Sequence, residues 1–534
     1  MFTCVIYVCR SALRSENNDA LIEAIASANS FHLPLVTIFF LPEHVSARRL
    51  SFWLEGAREA IDGMIQRDVH PILYPAHDVN LVLTFYQEKA AEVFLDSCYL
   101  PEELAFDSAV FAKFGPRARV ISTSTIIPPQ RIVNCPTFPV FLPRANALLN
   151  TFLSLPEDPT EGLSYVQSKS LPPIPSVEQL DPADHTIIPK FCLDPTIGPA
   201  PGFVGGLYAA RTRLLAFLDR LEDYPHALST VDSDNTSRLS AFLAQGHISP
   251  QEVVLAAQLH VEKLGEPQQH TAAVGLKKFL ENVFGRRELC YNHVYHNQEA
   301  YRRLLNLPFD ADIIDVGNAL LLALPDWARI TIESHTGDIR HFETNPSFVE
   351  AGKTPDEVWN MTHRLFITTG YLHPTLRTYW ARKILEFLPT PEEALGMAWR
   401  MNNRFGLDAG TLAFPGLLSA FGLFGSPISS ERPIYGFLPS ADSCLDEEVR
   451  RRTRRSSQVE EGVSGFNAKK FCEETELAIE EAWTTVSTTD CAGIGIGVER
   501  RHSDAFGFHV PGEPFSSAAV DTDRIRSLTT LEEP

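Results

Sequence analysis

Short apolar runs alternate with amphipathic stretches along the first 127 residues. Runs at 3–8, 35–40, 71–74, 92–95 and 119–122 predict strands, and the stretches 19–31, 51–67, 79–89 and 102–114 predict helices. Strand–helix alternation at this spacing predicts an α/β domain built on a doubly wound parallel sheet. No Gly-x-Gly-x-x-Gly follows the first strand, so the dinucleotide fingerprint is absent. Prolines crowd residues 128–201. Each fixes φ and removes a donor, which predicts an extended linker wrapping the surface, with a short helix at 145–153. From 202 to 440 the period is helical almost throughout, as at Leu207, Leu214, Leu215, Phe217, Leu218 and Leu221, and an all-α domain follows. Past 441 the period is lost and serine, threonine, glycine and glutamate dominate. That composition predicts a mostly disordered acidic tail, with one helix candidate at 468–483. The domains expected are therefore 1–127, 128–201, 202–440 and 441–534.

Composition narrows the class. The chain has 534 residues, 44% hydrophobic and 21% charged, as in a multi-domain globular protein. Nine scattered cysteines form no Cys-x-x-Cys pair, which argues against a zinc site or a disulfide framework and suits a reducing compartment. No metal site is expected. With no apolar run of membrane length and no basic leader, the expectation is a soluble monomer of nucleus or cytoplasm with no membrane partner. The run Arg450-Arg451-Arg452-Thr453-Arg454-Arg455 reads equally as a nuclear import patch or a solvated basic segment. Net charge is −21, from 46 basic and 67 acidic residues, which counts against tight DNA binding unless a basic groove is local.

Three stretches carry chemistry. Residues 352–408 place tryptophans, an arginine, an asparagine and an aspartate at fixed offsets: Trp359, Arg377, Trp380, Asn402 and Asp408. Residues 235–250 read N-T-S-R-L-S-A-F-L-A-Q-G-H-I-S-P. Hydroxyls and an arginine there crowd a helix start, where free N–H groups favour an anion; plain capping is the simpler reading. The third stretch is Arg286-Arg287-Glu288-Leu289. Together with Asn17-Asn18-Asp19-Ala20-Leu21 and residues 49–60, these stretches resemble class II photolyases, the light-driven DNA-repair branch of the photolyase/cryptochrome family.

The resemblance implies an α/β antenna-like domain followed by an all-helical FAD-binding domain, with FAD as cofactor and an antenna chromophore of unknown identity. By resemblance, Thr236, Ser237, Arg238, Leu239 and Ser240 hold the flavin diphosphate. Arg377 pairs with Asp408 near the isoalloxazine, and Asn402 lies beside its N5. Trp380 and then Trp359 carry electrons, and Glu288 faces the lesion. The implied reaction is repair of cyclobutane pyrimidine dimers in damaged DNA.

Several positions depart from the family pattern. Phe387 stands where a third tryptophan belongs, so electron flow would stop or reroute through Tyr379 or Trp399. The two lesion-stacking tryptophans fall at Ala420 and within 428–430, and Thr378 replaces a methionine. Base–aromatic stacking contributes roughly 1–3 kcal/mol per base, so two losses weaken lesion binding on the order of 10²-fold or more. Residues 312–323 look inserted, and their apolar run predicts a surface helix or covered lid. These departures keep two alternatives open: a repair-inactive, cryptochrome-like blue-light receptor, and a flavoprotein turned to a small-molecule substrate.

Overall fold

Strand β1, Cys4–Cys9, is buried at all six positions, as a central strand with both faces covered must be. The computed structural model describes residues 2–157, 174–175, 177–228, 236–307, 311–410 and 412–445. All belong to a compact unit, Met1–Thr453. The helix candidate at 468–483 and the basic run at 450–455 lie outside the described residues. Residues 441–445 do not behave as a tail: Ala441 and Leu445 are buried in the helical core.

Five parallel strands, with β2 Leu35–Leu41, β3 His70–Pro75, β4 Ala90–Asp96 and β5 Ala118–Ile121, lie in the order β3-β2-β1-β4-β5. Pro71 and Pro75 are tolerated because β3 is an edge strand. Helices α1 Asp19–Phe31, α2 Ala47–Ile65, α3 Val79–Tyr86 and α4 Pro101–Phe114 connect the strands. Asn18 caps α1 by accepting from the Leu21 N–H, which sets its start at the predicted residue. At the switch point beside β1 and β4, one carboxylate closes the crevice. Asp96 Oδ2 accepts from the backbone N–H groups of Arg10, Ser11 and Ala12 at 2.7, 3.0 and 3.1 Å, and Oδ1 accepts from Tyr7 Oη at 2.6 Å. The side chain thus takes the ground a bound anion would use there.

Helix α2 begins at Ala47, four residues before the predicted start. Its first turn is buried through Arg48, a residue that a polarity pattern assigns to solvent. The Arg48 guanidinium donates to the carbonyls of Gly198, Phe405, Ile367 and Thr368 at 3.0, 3.0, 2.6 and 3.1 Å. Burial pushes it down to about 10.

In the proline-rich stretch, α5 runs Phe138–Phe152, longer than expected and with Pro143 inside it. Pro139 sits in the first turn, where N–H groups have no helical partner anyway. A short helix, α6 Ile187–Phe191, follows, and the segment hydrogen-bonds to the α/β layer through Leu180 N to Leu73 O at 2.9 Å.

The remainder is helical: α7 Leu207–Leu218, α8 Tyr224–Ala227, α9 Ser240–Gln245, α10 Pro250–Lys263, α11 Gln268–Leu280, α12 Arg287–His296, α13 Gln298–Leu305, α14 Ile313–Leu321, α15 Asp326–Ser334, α16 Pro346–Glu350, α17 Glu357–Thr369, α18 Pro374–Phe387, α19 Pro391–Phe405 and α20 Ala413–Ala420. The expected surface helix or lid over the inserted residues is corrected: α14 is a core helix. Ile313, Ala319, Leu320 and Leu321 are buried, and a Cβ at Gly317 would fall 1.8 Å from Glu392 O on α19. Gly396 of α19 faces Ile313 O at the same 1.8 Å. Two glycines therefore let the backbones touch, a proximity that hydrophobic periodicity does not report.

Candidate functional site

Three consecutive helices position the first group of side chains. Asp356 caps α17 by accepting from Trp359 N at 3.0 Å, and Gly370 ends it at φ 69°. His373 caps α18, with Pro374 at its first position. Thr390 caps α19, followed by Pro391. The Gly370 carbonyl accepts from Leu407 N at 2.9 Å, drawing the chain after α19 back against the α17–α18 turn. Asp408 is thereby held under α18, where its two carboxylate oxygens accept from Arg377 Nη1 at 2.9 and 3.0 Å. Arg377 Nε and Nη2 are buried and find no partner among the described residues. Asn402, on α19, is 2% exposed.

The second group is the turn before α9. Arg238 adopts a left-handed φ of 49°, and Leu239 follows in right-handed helical geometry. That alternation turns successive N–H groups toward one concave side. Thr236 Oγ1 lies 2.6 Å from Tyr371 Oη, and the Arg238 guanidinium sits 5.4 Å from the Tyr371 ring centre. Tyr371 thus joins this turn to the α17–α18 connection.

Both groups line one cavity of about 380 Å³. Thr236, Ser237, Arg238, Leu239, Ser240, Arg377, Asn402 and Asp408 all contribute to its wall. Part of the remaining wall comes from a backbone feature that hydrophobic periodicity does not mark. Between α11 and α12 the helix widens into a π-turn, Glu281–Arg286. Such turns cluster at functional sites. Asn282, Arg286, Arg287 and Cys290, from this turn and α12, also line the cavity. Among the described residues its wall therefore carries four arginines and one carboxylate, inside a chain of net charge −21.

Glu288 is not among the lining residues. Its oxygens accept from the Ile126 and Ile127 N–H groups at 3.1 and 3.2 Å, and Arg287 Nη1 stands 3.3 Å away. Burial pushes the carboxyl up to about 7. Instead of facing the cavity, the side chain anchors the segment that follows β5.

Trp359 and Trp380 are fully buried and lie outside the lining, with ring centres 6.3 Å apart and planes 6° from parallel. Trp380 sits three residues past Arg377 on α18, hence on a neighbouring part of the same face. Phe387 packs edge-on against Trp359 at 5.1 Å and is itself fully buried. Beside these rings Lys383 is enclosed by Asp356, Glu386 and Asp442 at 3.3, 2.9 and 3.5 Å. Among the described residues no tryptophan lines the cavity; its aromatic residues there are Tyr224, Phe279, Tyr371 and Phe424. The Ala420 carbonyl accepts from Arg382 Nε at 2.5 Å. No cluster able to hold a metal ion occurs among the described residues.

Comparison with known proteins bears directly on this arrangement. Residues 5–162 match the family model described as DNA photolyase. The deoxyribodipyrimidine photo-lyase of Methanothermobacter thermautotrophicus is 27% identical over 440 residues, covering 81% of this chain and 89% of that protein. Among solved structures, a Synechocystis cryptochrome aligns at TM-score 0.57 and 14% identity, over 85% of this chain and 89% of its own. An archaeal photolyase from Sulfolobus tokodaii, described with two FAD molecules, aligns at TM-score 0.52 and 14% identity, over 90% of this chain and all of its own. Over most of its length this chain is similar to photolyases and cryptochromes. The parallel sheet followed by helices is the fold of photolyases and cryptochromes. Among the described residues, no helix is long and apolar enough to cross a membrane.

Proposed function

We propose that this chain is an FAD-dependent flavoprotein of the class II photolyase type that repairs cyclobutane pyrimidine dimers in DNA under light. One observation carries the reading: two stretches more than a hundred residues apart, 236–240 and 377–408, meet around one arginine-rich cavity. The residues present fit FAD. Arg377 keeps two buried N–H groups without partners among the described residues, and Asn402 lines the same cavity. Asp408 holds the Arg377 fork in place, so its remaining donors are pre-set for an electron-rich ring edge. The left-handed turn at Arg238, with Arg286 and Arg287, supplies positive charge and N–H donors for a diphosphate.

Bound FAD supplies light absorption and the transferred electron; the protein binds it, orients it and excludes water. The dimer must leave the duplex to reach the cavity, at a cost of a few kcal/mol that is smallest for a damaged base pair. Exposed Arg286, held over the Phe138 ring at 4.6 Å, offers a cation for the DNA backbone.

A second reading has its own support. The absence of tryptophan from the lining among the described residues and the capture of Glu288 by backbone amides favour a repair-inactive blue-light receptor or a small-molecule flavoprotein. The deciding experiment illuminates chemically reduced protein with an oligonucleotide carrying one thymine dimer. Loss of the dimer supports repair; its persistence with flavin bound moves the function to the second reading. Chemical reduction bypasses the interrupted tryptophan path, so that defect cannot mask repair.

A further inference from the structure

His363 packs beside both buried tryptophans and belongs to none of the motifs described above. Its ring is 4.8 Å from Trp359 and 15° from parallel, and 6.2 Å from Trp380 and 11° from parallel. Trp380 Nε1 donates to His363 Nδ1 at 3.1 Å. On the far side His363 Nε2 stands 3.0 Å from the Glu350 carbonyl oxygen. A carbonyl can only accept and the indole N–H can only donate, so the proton of the neutral imidazole sits on Nε2 and Nδ1 presents a lone pair. Phe405 meets the ring edge-on at 5.4 Å, and a Cβ at Gly352, whose φ is 63°, would come within 3.1 Å of Cδ2. The ring is fully buried and cannot turn away without disturbing all of these neighbours.

The two indoles differ in what their N–H groups meet. Trp359 Nε1 donates to the Trp380 carbonyl at 2.9 Å, an amide oxygen that does not accept a proton near neutral pH. Trp380 Nε1 meets a true base. Beyond Trp359 stands Phe387, which is far harder to oxidise than an indole, so an electron hole has no onward aromatic step there.

We propose that His363 is the proton acceptor for oxidised Trp380, trapping the hole on that indole as a neutral radical. The oxidant is a photoexcited oxidised flavin, so the inference rests on the flavin reading above. One electron leaves the Trp380 indole for that flavin, and the radical cation left behind is a much stronger acid than the indole. The Nε1–H bond breaks, a new N–H bond forms at His363 Nδ1, and the products are a neutral indolyl radical and an imidazolium. The Nε2–H bond to the Glu350 carbonyl is unchanged. Burial lowers His363 to about 4, so the imidazole is an unprotonated base at neutral pH before the flash. His363 acts on Trp380 and touches no substrate, which makes it a positioning and proton-accepting residue.

The test uses the full chain loaded with oxidised FAD and transient absorption after a flash. Wild type is expected to show the neutral tryptophan radical, formed several-fold more slowly in deuterated water. His363→Gln can accept the indole hydrogen bond but not its proton, and is expected to hold the cation, which then recombines faster. A persistent cation in wild type, identical traces in both proteins, or a tyrosyl spectrum from Tyr379 and its Asp356 partner would overturn the proposal. Nitrogen-15 NMR of the histidines in unilluminated wild type provides a second arm, independent of flavin and of the variant's folding. The expected result at pH 7 is neutral His363 carrying its proton on Nε2; a proton on Nδ1 overturns the proposal. A flash that yields no radical counts against the flavin reading, and the NMR arm still decides for His363.

Discussion

At the scale of single residues, Arg377 carries most of the weight. Its fork is half used by Asp408 and half free. A charge-assisted hydrogen bond contributes about 1.5–3 kcal/mol, so Arg377→Ala is expected to weaken FAD binding by roughly 10–150-fold. Fluorescence titration of the apoprotein with FAD measures this. Glu288 gives a separate prediction in pH. Its folded pKa, about 7, lies above its ordinary value of 4.5 because burial disfavours the carboxylate. Between those values the folded chain holds a proton that the unfolded chain releases, so stability falls as pH rises from 4.5 to 7. Glu288→Gln removes that slope. Denaturant titrations are expected to show wild type losing on the order of 3 kcal/mol more than the variant over this window; parallel curves would contradict the assignment.

At the scale of elements, two contacts hold the cavity walls. Arg48 satisfies carbonyls at the ends of α17 and α19 together, the helices that flank Arg377 and bear Asn402. Arg48→Ala leaves those carbonyls without a donor in a buried place, a loss of about 3 kcal/mol or more. Thermal melting is expected to drop, with FAD release preceding global unfolding. The α14–α19 crossing is the second contact. Gly317→Ala forces a methyl into the Glu392 carbonyl and is expected to destabilise by about 1–3 kcal/mol, read as a fall in Tm.

These elements also show what sequence can and cannot reveal. The β1, β2 and α1 segments were legible to within a residue or two, because two-sided burial and the Asn18 cap leave direct marks in residue order. The start of α2 was not, since Arg48 finds carbonyl partners up to 357 residues away. Pro143 hid the first half of α5, and the burial of α14 depends on glycine contacts with no periodicity. At the site, the residues that meet around the cavity were legible as motifs. The π-turn and the turning inward of Glu288 were not, because both depend on neighbours distant in the chain.

For the whole molecule, charge and location matter most. Net charge of −21 works against phosphate binding, and among the described residues arginines gather at the cavity. Binding to undamaged duplex near 0.15 M salt is expected at or beyond the weak end of the ~10⁻⁴–10⁻⁶ M range typical of non-specific binding. Fluorescence anisotropy across a salt series checks this; tight, salt-resistant binding would reveal a basic face elsewhere. The α/β part, with Asp96 folded into its own switch point, lends the site support through Arg48. The central claim is that the 236–240 turn and the Arg377, Asn402 and Asp408 group enclose one FAD, and the most direct measurement is the stoichiometry of FAD binding by the full chain in equilibrium dialysis. The account predicts one FAD per chain, with Arg377→Ala binding more weakly. No saturable binding, or binding unchanged by that substitution, would contradict it.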